Sequence, residues 1–226
     1  MLYFLHGLNG SAAEWTSFVE YFTEIGYDCT AVELQKGMNL RKIRFQDYVN
    51  KVVSIVQCND IVIGHSMGGM IVQKVAEQTS IRAGVCICPS PPKGIKMKSI
   101  SFFSQLRYIP LFIARIPFLP SFSLAQNYFF NDIPLELARK RYHQLKKQSA
   151  IVSYEILKAK ISVDETKVNC PLFFIARKND RIILPEIVSQ IAEKYNAPIK
   201  YLDGNHCIFY HFKPVAECIH NYIKDL

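Results

Sequence analysis

The chain has 226 residues, of which 50% are hydrophobic and 20% charged. That balance excludes wholesale disorder and supports one domain of the larger kind with a sizeable core. No apolar run is long enough to cross a bilayer, and the start Met-Leu-Tyr-Phe-Leu-His-Gly lacks the basic opening and small-residue cleavage site of a signal peptide, so a cytoplasmic protein is expected.

The elements follow in order. Leu2 to Leu5 reads as a short buried strand running into His6-Gly7-Leu8-Asn9-Gly10-Ser11. Glu14 to Ile25 carries Trp15, Phe18, Val19 and Phe22 at helical spacing, and Gly26 ends it. Cys29 to Leu34 is a second strand, Gly37 to Arg44 a basic loop, and Phe45 to Val56 a second helix. Asp60 to Gly64 is a third strand, followed at once by a helix from Met67 to Gln78 and a fourth strand from Ala83 to Cys88. Pro89-Ser90-Pro91-Pro92 then breaks the alternation. It resumes with a strand from Leu172 to Ala176, a helix from Pro185 to Tyr195, a strand from Pro198 to Leu202 and a closing helix from Phe212 to Ile223. Strands alternating with helices predict an α/β fold, a mostly parallel doubly wound sheet of about six strands covered on both faces.

The interval 91–166 differs in character. Nine aromatics fall between Phe102 and Phe130, among prolines at 110, 117 and 120. Asn131-Asp132 is expected to cap a helix starting near Pro134 and running to about Lys147, with a second helix from about Ala150 to Lys160. This interval holds 12 Lys+Arg against 5 Asp+Glu, a balance of +7, leaving +1 for the rest of a chain whose net charge is +8. A helical, aromatic, basic insertion between two halves of a sheet is expected to form a lid, so the core is 1–90 with 167–226 and the lid is 91–166. Such a patch suits peripheral contact with an anionic membrane, or is simply a solvated basic face. No motif supports nucleic-acid binding. The seven cysteines, at 29, 58, 86, 88, 170, 207 and 218, have no regular spacing, which argues against a disulfide framework or a zinc site and suits a reducing compartment. No metal and no cofactor is expected, and the sequence leaves the oligomeric state open.

The chemistry centres on Ile61-Val62-Ile63-Gly64-His65-Ser66-Met67-Gly68-Gly69, a strand entering Gly-x-Ser-x-Gly at a helix start. That turn presents Ser66 at the carboxyl end of a strand, with glycines giving the room it needs. A serine nucleophile needs a histidine base held by a carboxylate, following it in the chain order Ser, Asp, His. His206 lies just past the last strand, while His65 should point away from the apex, His6 belongs to the first loop, and His143, His211 and His220 sit in or near helical patterns. Asp180, four residues past a buried strand, is the best-placed acid; Asp164 and Asp203 are weaker rivals. The N–H of Met67 and one from the loop after the first strand, Leu8, are the candidate oxyanion donors.

His6-Gly7 with Trp15, Gly-His-Ser-Met-Gly-Gly at 64–69, Asn-Asp-Arg-Ile-Ile-Leu-Pro at 179–185 and Gly-Asn-His at 204–206 together resemble the α/β-hydrolase superfamily. The likeness is to its small lid-bearing members, among them monoacylglycerol lipase-like, carboxylesterase and methylesterase/hydroxynitrile lyase-like enzymes. The resemblance implies Ser66 as nucleophile, Asp180 as acid, His206 as base, and Leu8 and Met67 as the oxyanion hole of an esterase, and the Phe/Leu/Tyr-rich insertion points to a small-molecule ester with an apolar acyl or alkyl part. It also leaves room for a cofactor-free lyase, an acyltransferase or a non-catalytic ligand-binding homologue. The sequence departs from the family in three places. The His-Gly strand opens the chain where two strands usually precede it, Glu33-Leu34-Gln35-Lys36-Gly37 replaces a glycine-rich acidic loop, and Arg177 stands at the usual glycine before the acid loop.

Overall fold

A computed structural model describes residues 1–97 and 108–226. The core is one parallel sheet in the order β2-β1-β3-β4-β5-β6. Its strands are β1 (Leu2–Leu5), β2 (Cys29–Val32), β3 (Ile61–His65), β4 (Ala83–Ile87), β5 (Leu172–Arg177) and β6 (Ile199–Leu202). β1, β3, β4 and β5 are buried along their whole length, which is why they read as unbroken apolar runs in the sequence, whereas the edge strands β2 and β6 are half-open.

The helices of the sheet are α1 (Thr16–Glu24), α2 (Phe45–Val53) and α3 (Met67–Gln78), then α8 (Pro185–Lys194) and α9 (Lys213–Ile223) beyond the insertion. Right-handed crossovers put α1 and α9 on one face and α2, α3 and α8 on the other. β5 shows the two faces directly. Phe173 stacks on Tyr222 of α9, with ring centroids 4.3 Å apart, while its neighbour Phe174 stacks on Tyr195 at the end of α8. Under α1, Phe4, Trp15, Phe18 and Phe22 form one buried aromatic cluster, with Phe4 and Trp15 centroids 5.0 Å apart.

Most differences from the predicted elements lie at the ends. The first helix divides into a 3-10 turn (Ala12–Trp15) and α1, because Glu14 turns back to accept the N–H of Ser11. β2 stops at Val32, since the next N–H of its run goes to a side chain: Leu34 N–H bonds the His6 ring, 3.3 Å away. α2 ends at Val53, where Ile55 and Val56 both turn back to the carbonyl of Val52.

The insertion between β4 and β5 contains α4 (Ile109–Ile113), α5 (Phe122–Tyr128), α6 (Leu135–Gln144) and α7 (Ala150–Leu157) among its described residues. Part of the aromatic stretch expected there, including Phe102 and Phe103, lies outside the described residues. The insertion sits over the carboxyl edge of the sheet. Asn9 donates to the carbonyls of Phe118 and Lys146, Tyr48 Oη donates to Gln148 at 2.8 Å, and Glu155 on α7 accepts the N–H of Phe45 at the start of α2. Asn131 does not cap α6, whose N-cap is Pro134. Its side chain instead reaches the carbonyl of Asn179 in the loop after β5.

Candidate active site

The chain leaves β1 toward β2 on one side and leaves β3 toward β4 on the other, so a crevice opens between the carboxyl ends of β1 and β3. His6-Gly7-Leu8 and Ser66 occupy that crevice. Ser66 joins β3 to α3 with φ 56° and ψ −115°, a region costly for any residue with a Cβ. Both neighbours hold it there: its N–H donates to Ile87 O at 2.9 Å, and its carbonyl accepts the N–H groups of Met70 and Ser90. The turn is too tight for side chains on either side. A Cβ at Gly64 would lie 2.2 Å from Gly68 O, one at Gly68 would lie 2.2 Å from Leu5 O, and one at Gly69 would lie 2.8 Å from Pro89 Cβ. Gly7 presses on the serine itself, since a Cβ there would lie 3.1 Å from Ser66 Cβ.

Asp180 and His206, 26 residues apart in sequence, meet through a 2.7 Å contact between Asp180 Oδ2 and His206 Nδ1. The other carboxylate oxygen accepts the N–H groups of Ile182 and Ile183, at 2.8 and 2.9 Å. These bonds fix both the acid and the tautomer of the base: Nδ1–H donates to the carboxylate, leaving Nε2 as the free basic atom. Ser66 and His206 line one cavity of about 710 Å³ of free space, open mouth included. The structure brings Ser66, Asp180 and His206 together at one sheet edge. The rivals lie elsewhere: Asp203 pairs with Lys178 and Asp164 caps the 3-10 turn at Glu165–Lys167. Leu8 lines the same cavity and Met67 opens α3. Among the described residues neither N–H has a hydrogen-bond partner. The rest of the cavity wall is mostly apolar, built mainly by Phe129, Phe130, Leu145, Ile156, Ile183 and Phe209, with His65 and Ser90 as further polar groups and Glu14 as its carboxyl group. Burial raises the Glu14 carboxyl above its ordinary range.

Three further residues hold this arrangement, and sequence reasoning did not assign them these roles. His65 points at the base loop: its Nε2–H donates to the carbonyl of His206 at 2.9 Å, the rings 4.6 Å apart. Burial, and secondarily the neighbouring His206, push His65 well below the ordinary histidine value, so the ring is neutral. Asn131 links the insertion to both loops, donating to Asn179 O and receiving the Asn205 side-chain N–H on its own carbonyl. Arg177, where the family usually has glycine, is buried beneath the base loop, and Gly204, at φ 120°, makes room for it: a Cβ there would lie 1.9 Å from Nη2. No local periodicity marks these roles, because each depends on a contact far along the chain.

The thiol of Cys88 lies beside the acid, and ligand atoms of Cys88, Asp180 and His206 fall within 4.8 Å of one another. This group does not favour a metal. The carboxylate and Nδ1 are already paired with each other, burial raises the thiol well above its ordinary value, and the Arg177 guanidinium stands against it. All seven cysteines are free.

A parallel sheet with a strained serine between strand and helix, facing an acid–histidine pair on later loops, defines the α/β-hydrolase architecture. The alpha/beta hydrolase family profile matches residues 2–219, and the chain belongs to that family. No curated protein sequence matches it. Solved structures share the fold at low identity. A methylesterase protein from Arabidopsis is 16% identical with a TM-score of 0.77, over 100% of this chain and 99% of that one. An extracellular alpha/beta-hydrolase from a Paenibacillus species is 18% identical with a TM-score of 0.81, over 97% of both chains. A lipase-esterase related protein from Clostridium acetobutylicum is 21% identical with a TM-score of 0.74, over 98% of this chain and 93% of that one. Among the described residues no helix is long and apolar enough to cross a membrane.

Proposed function

We propose that the protein is a serine hydrolase that cleaves carboxylic esters carrying an apolar acyl or alkyl group. The observation that carries this reading is the Asp180–His206 bond of 2.7 Å, with His206 and the strained Ser66 on one largely apolar cavity. Ser66 Oγ attacks the ester carbonyl while His206 Nε2 takes its proton. The imidazolium that forms is stabilised by Asp180, which two backbone hydrogen bonds hold in place. The N–H groups of Leu8 and Met67 receive the tetrahedral oxyanion, the latter helped by the α3 N-terminus; each such donor contributes about 3 kcal/mol in comparable sites. His206 then protonates the leaving alcohol. Water, deprotonated by the same nitrogen, releases the acid from the acyl-enzyme.

The insertion at 91–166 acts as a lid in this reading, because Phe129, Phe130, Leu145 and Ile156 roof the cavity and exclude water from the reacting carbonyl. The same wall is the support for an apolar substrate. Seven free thiols suit a reducing compartment such as the cytoplasm. Related family members with esterase names lend support to ester chemistry over other uses of the fold. The test is a panel of p-nitrophenyl and acylglycerol esters of rising chain length, assayed on wild type and Ser66→Ala. Hydrolysis that favours apolar acyl groups and disappears in the variant is expected; hydrolysis retained by Ser66→Ala overturns the mechanism.

A further inference from the structure

Among the described residues, ten large hydrophobic side chains are exposed, and six of them stand in the insertion: Ile109, Ile113, Ile116, Leu135, Leu137 and Tyr154. The same insertion carries the positive balance of the chain, +7 of +8. Exposed apolar groups and uncompensated cations thus share one part of the surface, which is the opposite of what solubility alone selects.

The two features meet at the packing of α4 on α7. A shallow groove there is lined by Ile109, Phe112, Ile113, Ile151 and Tyr154, together with Arg44 and Arg115. Ile113 is 78% exposed. The Lys160 ammonium stands 4.3 Å over the Tyr154 ring. Glu155 is the nearby acid, and it is engaged by Arg44 at 3.3 Å and by the N–H of Phe45, so positive charge remains in excess. α7 itself is apolar on both sides. Ile151 and Tyr154 face the groove, while Ile156 and Leu157 line the cavity over Ser66. A helix with apolar residues on two sides needs cover on both. One helix therefore forms the outer apolar face and the wall of the site.

From this we infer that the α4–α7 face seats on an anionic lipid bilayer, with Ile109 and Ile113 entering the interface and Arg115 and Lys160 meeting the headgroups, so that apolar esters reach the cavity from the lipid surface. Exposed aliphatics flanked by cations fit such a surface, and the charge complementarity selects anionic over neutral lipid. The inference rests on the esterase reading for its substrate but not for the binding itself.

The experiment is co-sedimentation of the full chain with vesicles of phosphatidylcholine alone and with vesicles that also contain phosphatidylglycerol, at low and high salt. Binding to the anionic vesicles, weakened by salt, is expected. Arg115→Gln combined with Lys160→Gln should weaken it by about 25-fold, from about fivefold for each cation near the surface. Ile113→Ser, at a side chain that packs on little, should weaken it by about tenfold or more. Both variants should hydrolyse a soluble short-chain ester at the wild-type rate and lose rate on a long-chain ester embedded in the vesicles. Equal binding to neutral and anionic vesicles, absence of binding, or binding unchanged in both variants overturns the inference. So does a dimer of the free protein that Ile113→Ser dissociates, which would assign this face to a second copy of the chain. Vesicle binding without hydrolysis of any ester would count against the esterase reading alone.

Discussion

Gly68→Ala sets two effects of opposite sign against each other. Helix propensity favours alanine, by at most about 1 kcal/mol in a helix interior and less in a first turn. Packing opposes it, because a Cβ at this position would stand 2.2 Å from Leu5 O, 2.8 Å from Leu5 C and 3.0 Å from His6 O. All three obstacles are main-chain atoms of β1 and its following loop, and β1 is fixed on both edges by parallel pairing with β2 and β3. No side chain can rotate away, so α3 must shift from β1 by about 1 Å to restore an ordinary contact. Overpacking of this kind costs up to about 3 kcal/mol, leaving a net loss of about 2 kcal/mol and a fall in Tm of about 4–8 °C for a chain of this size. The same shift separates Met67 from the Leu8 loop, the two sides of the proposed oxyanion hole. A misplacement of about 1 Å costs on the order of 100-fold in rate. Thermal unfolding by circular dichroism and kcat on a soluble ester measure both. A variant as stable and as active as wild type would refute the argument from close approach.

Other substitutions separate the roles at the site. Asp180→Asn keeps the shape but withdraws the charge that fixes the Nδ1–H tautomer of His206, and should lower kcat about 10,000-fold with little change in KM, read by steady-state kinetics. His65 is neutral in the fold, while its unfolded counterpart gains a proton below about pH 6.5, so the unfolded state binds more protons there and stability falls as pH drops. His65→Gln should remove up to about 1.4 kcal/mol per pH unit of that slope in urea unfolding between pH 7.5 and 5. Glu33 is held down to about 2, chiefly by the adjacent His6 ring, so its contribution is complete above about pH 4.5 and is lost as pH falls toward 2. Because Glu33 is partly exposed, Glu33→Gln should cost about 1 kcal/mol at pH 7, a difference that closes in acid.

The sheet was legible because its four central strands are buried on both faces and carry unbroken apolar runs, and because the elbow, the acid loop and the base loop are each local patterns at strand ends. What stayed hidden depends on contacts between distant parts of the chain. His65 holds the carbonyl of His206 across 141 residues, and nothing near His65 in sequence announces it. Asn131 looks like a helix cap beside Pro134 yet serves the loops that carry Asp180 and His206. Arg177 looks like a departure from the family, and the structure pairs it with a compensating glycine 27 residues later at Gly204, whose missing side chain is the space the guanidinium fills. The end of β2 was misplaced for a similar reason: Leu34 is apolar enough to extend the strand, but its N–H is drawn to the His6 ring.

The proposed chemistry depends on Ser66 being a nucleophile activated by His206. The direct measurement is labelling of the folded protein with a fluorophosphonate probe, followed by peptide mass spectrometry, on wild type, Ser66→Ala and His206→Ala. One adduct on the peptide bearing Ser66 is predicted for wild type, with none in Ser66→Ala and strongly slowed labelling in His206→Ala. Wild-type protein that folds but takes up no label, or label carried by a residue other than Ser66, would contradict it.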